Sequence, residues 1–312
     1  MTKRTRTNLA ASVHQLLMNK ARDTHRPFNE LLQYYVMERF LYRLSKSPYA
    51  GKFILKGALM FTAWKLDSYR PTVDIDLLGK ADHQVDNIVE ITKQICSLPV
   101  EPDGLIFDSD SVTGARIAEN ADYEGVRCRF RANLGTARIT LQLDIGFGDV
   151  IVPAAQPIDY PAILDFPAPR LRGYSKETIV AEKFESIVKL GTLNSRMKDY
   201  FDIWTLSRRF EFDGEMLGNA ITKTFSNRGT EIIVDPVGLT ARFGGDPEKN
   251  IQWRGFIRRS RLDHSPNLAE VVLTVAAFLR PVVAAVAASH SFSGKWTAPG
   301  PWMTRINEHS GF

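Results

Sequence analysis

The chain has 312 residues, a formal net charge of +5 and 44% hydrophobic residues, enough for one large or two smaller domains. This composition excludes a disordered chain, and the modest basic excess is compatible with a nucleic-acid partner or simply with a basic protein. Cys96 and Cys128 lie far apart, which argues against a zinc site or disulfide framework and fits a reducing cytoplasm. We expect no signal peptide, because no long apolar segment follows the N-terminus.

The sequence of the N-terminal half predicts two helices followed by a segment that contains both strands and helices. Hydrophobic spacing predicts helices over residues 7–24 and 28–46. Over about 50–165 we expect two more helices, at 57–66 and 83–97, and strands at 53–55, 72–78, 104–107, 113–117, 126–132 and 138–145.

The most informative motif is Asp74-Ile75-Asp76, within the apolar run TVDIDLL. Alternate residues of a strand share a face, so both carboxylates would leave one face while Val73, Ile75 and Leu77 enter the core. Two neighbouring anions repel, and a Mg²⁺ or Mn²⁺ ion held by oxygen ligands would remove that cost. A solvated strand edge would carry the same motif, so the surrounding sequence has to decide.

The residues on either side favour the metal site. Upstream, FILKGALMF predicts a strand, a Lys56-Gly57 junction and a helix, where backbone N–H groups can approach a phosphate. Downstream, the strand ARITLQLDI alternates and places Asp144 on a polar face with Thr140 and Gln142. This arrangement matches the layout of the polymerase-β-type nucleotidyltransferase fold, in which an acidic residue on an adjacent strand joins the first two.

A proline-dense loop at 153–169 predicts a boundary between N-terminal helices plus catalytic domain at 1–165 and a helical domain at 170–312. The apolar stretch 269–288 contains Glu270, Arg280 and Pro281, so we interpret it as packed helices kinked at Pro281 and not as a membrane span. Helices are expected at 175–191, 196–209, 213–226, 248–260 and 267–289.

Charged residues of the helical half are candidates for phosphate contacts. Lys183 borders an apolar stripe and needs an anion, either a local glutamate or a triphosphate. In NSRMKDYFD, Arg196, Asp199 and Asp202 share one side of a helix, and Lys198 lies off that line. This cluster is either a solvated helix start or a nucleotide contact.

Two arginine-rich segments are candidates for an RNA backbone. One is the helix with Arg254, Arg258 and Arg259, whose alternative is solvated arginines beside a core formed by Trp253 and Phe256. The other is a strand with the alternating residues Arg127, Arg129 and Arg131, whose alternative is an ordinary exposed sheet face.

The chain resembles the AbiEii-type nucleotidyltransferase toxins of bacterial type IV toxin–antitoxin systems, a group that includes the MenT toxins. The resemblance covers roughly residues 10–260. It is carried by FNELLQYYVMERFLYRLSKSPYAGKFILKGALMF, RPTVDIDLL, LQLDIGFGD, ETIVAEKFESIVKLGTLNSRMKD and NIQWRGFI. One departure is Gly57-Ala58, where many members of the wider fold have Gly-Ser or Gly-Gly, so no hydroxyl is offered to a triphosphate there.

The resemblance implies an α/β fold: a mixed sheet carrying the acidic residues, N-terminal helices, a larger C-terminal helical domain and a site in the cleft between them. It implies that Asp74, Asp76 and Asp144 bind metal and act in catalysis with Lys183 and Asp199. We assign nucleotide binding to a set drawn from both halves: Lys56, Gly57, Ala58, Arg70, Thr72, Lys183, Arg196 and Lys198.

The implied activity is Mg²⁺- or Mn²⁺-dependent transfer of a nucleotide from an NTP to RNA, most specifically to the 3′ end of tRNA, which would block translation. The implied partner is a separately encoded antitoxin, and the implied location is the cytoplasm, with no membrane association. Two alternatives share the same residues. One is phosphoryl transfer onto a protein such as the antitoxin, and the other is a non-catalytic binding module.

Overall fold

The computed structural model describes residues 8–66, 70–117, 125–262 and 266–303. The chain forms two compact units, the first from Met1–Gly148 and Gln156–Gly173, the second from Asp149–Ala155 and Tyr174–Phe312. The fold is mixed α/β, with a seven-stranded sheet in the first unit and a mainly helical second unit, and the predicted fold class is confirmed.

The first unit opens with helices α1 (Leu9–Thr24) and α2 (Phe28–Lys46), at the predicted positions apart from residue 7, which lies outside the described residues. The elements that follow in chain order are β1 (Phe53–Lys56), α3 (Leu59–Ala63), β2 (Asp74–Gly79), α4 (Val85–Cys96), β3 (Leu105–Arg116), β4 (Gly125–Leu134), β5 (Ala137–Phe147), β6 (Gln156–Asp159) and β7 (Arg170–Gly173).

The strands lie in the order β3-β4-β5-β2-β1-β7-β6. β2 runs parallel to β5 and β1 parallel to β7, while the other neighbours are antiparallel. Helix α2 buries nearly every side chain from Leu31 to Leu44, and its Phe40 ring lies 4.9 Å from that of Phe130 on β4. Buried apolar residues on β2, β4 and β5 therefore leave the polar residues of those strands at the exposed positions of the alternation.

Three details of the first unit differ from the sequence expectations. The strands predicted at 104–107 and 113–117 are one strand, β3, with a register irregularity between Asp108 and Thr113. The helix predicted at 57–66 is a single turn, because Lys65 adopts a left-handed conformation (φ 57°) that ends it. Val73, expected in the core, precedes β2 and is 68% exposed.

The proline-dense segment is not only a loop. It contains β6, which includes Pro157, and it leads into β7. β6 is the outermost strand of the sheet, and an edge strand tolerates proline because one side of its backbone has no strand to pair with. The chain leaves the first unit after Gly148, re-enters it at Gln156 and leaves it again after Gly173.

The second unit contains α5 (Lys176–Leu190), α6 (Met197–Arg209), β8 (Phe212–Asp213), α7 (Gly214–Arg228), α8 (Ala241–Gly245), α9 (Pro247–Ser260), α10 (Leu268–Ala287), β9 (Lys295–Trp296) and β10 (Trp302–Met303). The short strands form a small sheet in the order β10-β9-β8, which the sequence reasoning missed. Ser175, in the predicted capping pattern, accepts a hydrogen bond from the Thr178 N–H and caps α5.

Helix α10 carries the long apolar stretch. The stretch forms one helix within the predicted span 267–289, with Pro281 inside it. Among the described residues it is the helix whose length and apolar composition would allow a membrane crossing, which a buried core helix also satisfies. Val271, Val275, Phe278 and Leu279 are fully buried in the second unit.

Candidate active site

Three carboxylates meet on the polar face of the first unit's sheet. The parallel pairing of β2 with β5 aligns Asp76 with Asp144 and Asp74 with Gln142. Single oxygens of Asp74, Asp76 and Asp144 lie within 4.8 Å of one another, and all three residues are half-buried. A set made only of carboxylate oxygens suits a hard cation such as Mg²⁺ or Mn²⁺. The structure thus brings together the three residues proposed as metal ligands.

The alternation of the two strands explains why these acids share one face. Ile75 and Leu77 on β2 and Leu143 and Ile145 on β5 are almost completely buried on the opposite face. A slip of one residue in either strand would bury the acids and expose these apolar side chains, so the hydrophobic pattern holds the register.

Side chains from α2 and from the entry to β2 position Asp74. The Thr72 hydroxyl donates a hydrogen bond to Asp74 Oδ1, and the Thr72 N–H donates to the Tyr34 hydroxyl at 3.1 Å. Burial raises the pKa of Tyr34, which keeps that hydroxyl neutral. Gln33 Nε2 donates to the Val73 carbonyl at 3.3 Å. Thr72 therefore contacts a proposed metal ligand directly, while its proposed contact with nucleotide stays a prediction.

Gly57 lies against the second aspartate. Its φ of 68° is in the left-handed region, and a Cβ built there would overlap Asp76 Oδ2 and lie 2.7 Å from Asp76 Cγ. Only glycine fits this turn without displacing the carboxylate. Lys56 is the register partner of Asp76, Ala58 is buried, and Arg70 is half-exposed. The nucleotide-binding role of these residues stays a prediction.

Asp74, Asp76 and Asp144 together form what we call the acidic group. Arg127 contacts this group, a contact that the sequence reasoning did not identify. It faces Asp144 in the β4–β5 register, its Nε donating to Asp144 Oδ1 at 2.8 Å and its Nη2 to Oδ2 at 2.7 Å. Gln142 Nε2 also donates to Oδ2, at 3.2 Å. The alternation Arg127, Arg129, Arg131 was visible in the sequence, but its partner depends on strand register.

The second unit contains a separate ionic cluster around Lys183. Lys183 Nζ lies 2.7 Å from Asp199 Oδ1 and 2.7 Å from Asp202 Oδ2, and the two aspartate side chains are only 1% and 0% exposed. Arg196 Nε lies 2.8 Å from Asp199 Oδ2. Burial raises the pKa of Asp199, but Lys183 and Arg196 outweigh burial and hold that pKa below its usual range. Asp199 and Asp202, both on α6, are thus anionic partners of Lys183.

The cationic residues around this cluster differ in exposure. Arg196 precedes α6 and its side chain is 42% exposed, and Lys198 in the first turn is exposed. The Arg196 N–H donates to Asn194 Oδ1 at 2.8 Å, which holds the loop before α6. The structure therefore groups Lys183, Arg196 and Asp199, with Lys198 at the surface beside them.

The second unit contains another ionic cluster, around Arg228, that was not foreseen. Arg228 on α7 lies 2.8 Å from Asp149, 3.4 Å from Glu182 and 2.9 Å from Glu185. Burial lowers the pKa of Arg228, but these carboxylates outweigh that effect and raise it. The contacts tie Asp149, in the short segment that enters the second unit, to α5 and α7, which is a structural role.

Helix α9 presents arginines on one side and aromatic residues on the other. Trp253 and Phe256 are buried, and the Phe256 ring lies 5.7 Å from that of Phe201, so the core role considered for them is confirmed. The three arginines proposed for RNA binding are exposed: Arg254, Arg258 and Arg259. Their contact with RNA stays a prediction.

Comparison with protein families identifies the chain. A family model described as nucleotidyl transferase AbiEii toxin, type IV toxin–antitoxin system, matches residues 39–280, more than half of the chain. The chain belongs to the AbiEii family. The resemblance inferred from the sequence is confirmed, and membership implies a nucleotidyltransferase toxin with a nucleotide substrate and a cognate antitoxin.

Comparison with solved structures gives weak similarities. JHP933 from Helicobacter pylori and an H. pylori protein described as a candidate nucleotidyltransferase each have 16% sequence identity and a TM-score of 0.46. The matches cover 84% of this chain and 93% and 96% of those chains, respectively. A comparison with curated proteins gives no significant match.

Proposed function

We propose that this AbiEii toxin transfers a nucleotide from an NTP to a hydroxyl of RNA. The proposed acceptor is the 3′ end of tRNA, whose modification would block translation. The single observation that supports the chemistry is the carboxylate group of Asp74, Asp76 and Asp144, whose oxygens lie within 4.8 Å of one another. Family membership supports the nucleotide substrate.

The three aspartates would hold Mg²⁺ or Mn²⁺. Such ions, when bound, lower the pKa of an attacking hydroxyl and neutralise a departing pyrophosphate. Asp74 and Asp76 contribute ligands from one strand, and Thr72 and Gly57 keep those two carboxylates in position. Asp144 would complete the set and accept the proton of the acceptor hydroxyl.

Cationic side chains would neutralise the triphosphate. We assign this role to Lys183, Arg196 and Lys198 in the second unit, with Asp199 orienting Lys183 and Arg196 through the contacts at 2.7 and 2.8 Å. In the first unit we assign nucleotide contacts to Lys56, Gly57, Ala58, Arg70 and Thr72.

The acceptor and the regulator complete the proposal. The exposed arginines of α9 would bind the RNA backbone as a sequence-independent electrostatic surface. The cognate antitoxin would be a separate protein, and both would act in the cytoplasm without a membrane.

The test is incubation of the protein with total RNA, Mg²⁺ and each NTP in turn, labelled at the α- or at the γ-phosphate. Label transferred from the α-phosphate to RNA, followed by sequencing of the labelled ends, would identify the acceptor. Label from the γ-phosphate on a protein would instead mean a kinase, and no transfer of either label would indicate a binding module.

Two variants make the test specific. Asp76→Asn removes a proposed metal ligand and should abolish transfer, while its thermal stability without metal should be unchanged or higher because carboxylate repulsion is relieved. Asp108→Asn is the matched control, since Asp108 is a carboxylate of the same sheet that pairs with Arg131 at 3.0 Å, outside the acidic group. Full transfer by Asp76→Asn would disprove the metal-site assignment.

A further inference from the structure

A row of charged residues crosses the sheet at the acidic group, with two carboxylates between two cations. The register pairs Lys56 with Asp76, Asp76 with Asp144 and Asp144 with Arg127, across strands β1, β2, β5 and β4. Residues paired in register point to the same face, so the two central carboxylates are flanked by one cation on either side.

Arg127 engages Asp144 through both carboxylate oxygens. The Nε and Nη2 donors form the two-point contact that a guanidinium makes with a carboxylate, at 2.8 and 2.7 Å. The side chains are partly buried, at 27% and 14% exposure for Arg127 and Asp144. Water therefore screens this pair less than it screens an exposed surface pair.

The next arginine on the strand has a different partner. Arg129, on the same face, donates to the neutral Gln142 Oε1 at 3.3 and 3.1 Å. Of these two, Arg127 therefore neutralises a carboxylate of the acidic group, and Arg129 does not.

We propose that Arg127 is the resident counter-ion of Asp144, which balances the acidic group in the metal-free protein and lowers its affinity for a divalent cation. This inference rests on the proposed function, because it takes the acidic group to be a metal site. A guanidinium on Asp144 competes with the ion for the carboxylate oxygens and adds a positive charge close to the ion. Arg127 therefore keeps the affinity of the nucleotide-free protein for divalent ions low.

The experiment compares Arg127→Gln with the matched control Arg129→Gln, using Mn²⁺ alone as the probe. Free Mn²⁺ is titrated by electron paramagnetic resonance, and thermal unfolding is followed in EDTA and in saturating Mn²⁺. We expect Arg127→Gln to bind Mn²⁺ about tenfold more tightly than wild type. It should also unfold at a lower temperature than wild type in EDTA, and Mn²⁺ should raise its unfolding temperature by more than it raises that of wild type. Arg129→Gln should match wild type in each measurement.

The outcomes separate this inference from the proposed function. If wild type binds Mn²⁺ and Arg127→Gln binds it equally or more weakly, the counter-ion role is wrong. If neither wild type nor Arg127→Gln binds Mn²⁺, the metal site itself is wrong. Should Arg127→Gln fail to fold, Arg127→Lys retains the charge and loses the two-point contact. Its Mn²⁺ affinity should stay within about threefold of wild type, and a larger gain would contradict the charge argument.

Discussion

Replacement of Gly57 by alanine should disable the acidic group while leaving the fold largely intact. Gly57 lies in the turn after β1, with φ of 68°, and an added Cβ would overlap Asp76 Oδ2. The same Cβ would lie 2.7 Å from Asp76 Cγ and 2.8 Å from Asp76 Cβ. Because Asp76 pairs in register with Asp144, a shift of Asp76 changes the spacing of the whole group.

The size of the effect follows from these distances. Ordinary carbon–carbon contacts are about 3.5–4.0 Å, so the Asp76 side chain would have to retreat by roughly 1 Å. Misplacement of a catalytic group by about 1 Å can cost on the order of a hundredfold in rate. The left-handed backbone of an alanine adds about 1–2 kcal/mol of destabilisation, which is modest for a chain of this size.

Gly135→Ala is the matched control for the backbone cost. Gly135 lies in the turn between β4 and β5 with φ of 61°, and its added Cβ would make an ordinary 3.7 Å contact with Ala10. Both variants therefore carry a similar conformational cost, and only Gly57→Ala disturbs a proposed metal ligand. Unfolding in urea measures the destabilisation that the left-handed backbone causes in both variants. Titration with Mn²⁺ and transfer of label from α-labelled NTP measure the disturbance of Asp76, which only Gly57→Ala should show.

We expect the two variants to have similar free energies of unfolding and to differ in Mn²⁺ affinity and in transfer by roughly a hundredfold. Equal metal binding and equal transfer in Gly57→Ala and Gly135→Ala would refute the argument that Gly57 is required by Asp76. A much larger loss of stability in Gly57→Ala would mean that the turn, and not the carboxylate, is disturbed.

Three further predictions concern the second unit. Lys183→Ala should lower the free energy of unfolding by about 3–5 kcal/mol, because it leaves two buried aspartates without their shared lysine. Nucleotide binding by the folded fraction should also weaken roughly tenfold to a hundredfold, with partial recovery in Lys183→Arg; unchanged stability would contradict the ion-pair geometry. Asp199 has a lowered pKa, so its contribution to stability is present above about pH 4 and is lost as pH falls below it. Asp199→Asn should therefore flatten the dependence of the free energy of unfolding on pH below about pH 4, and an unchanged slope would show that another carboxylate is responsible. Joint alanine replacement of the α9 arginines should reduce the salt dependence of RNA binding by about one unit per lost contact without changing NTP binding; an unchanged dependence would move the RNA surface elsewhere. The residues replaced are Arg254, Arg258 and Arg259.

The periodic spacing of apolar residues predicted the long helices and strands of this fold, because that spacing lies within each element's own sequence. Helix α2 begins and ends where its apolar spacing indicated, and β5 alternates as expected around Asp144. Two of the elements that periodicity missed, the edge strand β6 and the small sheet of the second unit, depend on contacts between distant parts of the chain. The edge strand β6 contains a proline that argues against a strand until its position at the sheet edge is known.

The acidic group was predictable for a related reason. The spacing of Asp74 and Asp76 and the alternation around Asp144 determine which way each carboxylate points. That they would come together required β5 to lie beside β2, which the layout of the polymerase-β-type fold supplied and periodicity alone did not; the structure adds that the two strands are parallel. The Lys183 contacts with Asp199 and Asp202 likewise join two helices whose sequences carry no sign of their mutual packing.

Arg127 shows what a sequence reading of this kind misses. Its alternation with Arg129 and Arg131 suggested one uniform strand face, either a basic surface for RNA or an ordinary exposed sheet face. The strand register gives the three arginines unlike partners, a carboxylate of the acidic group for Arg127, a neutral amide for Arg129 and a peripheral aspartate for Arg131. The same side chain repeated at the same spacing can therefore serve different purposes, because the neighbouring strand sets the charge that each one meets. Of these three arginines, the one that contacts the acidic group is the one whose charge is balanced by a catalytic candidate, Asp144.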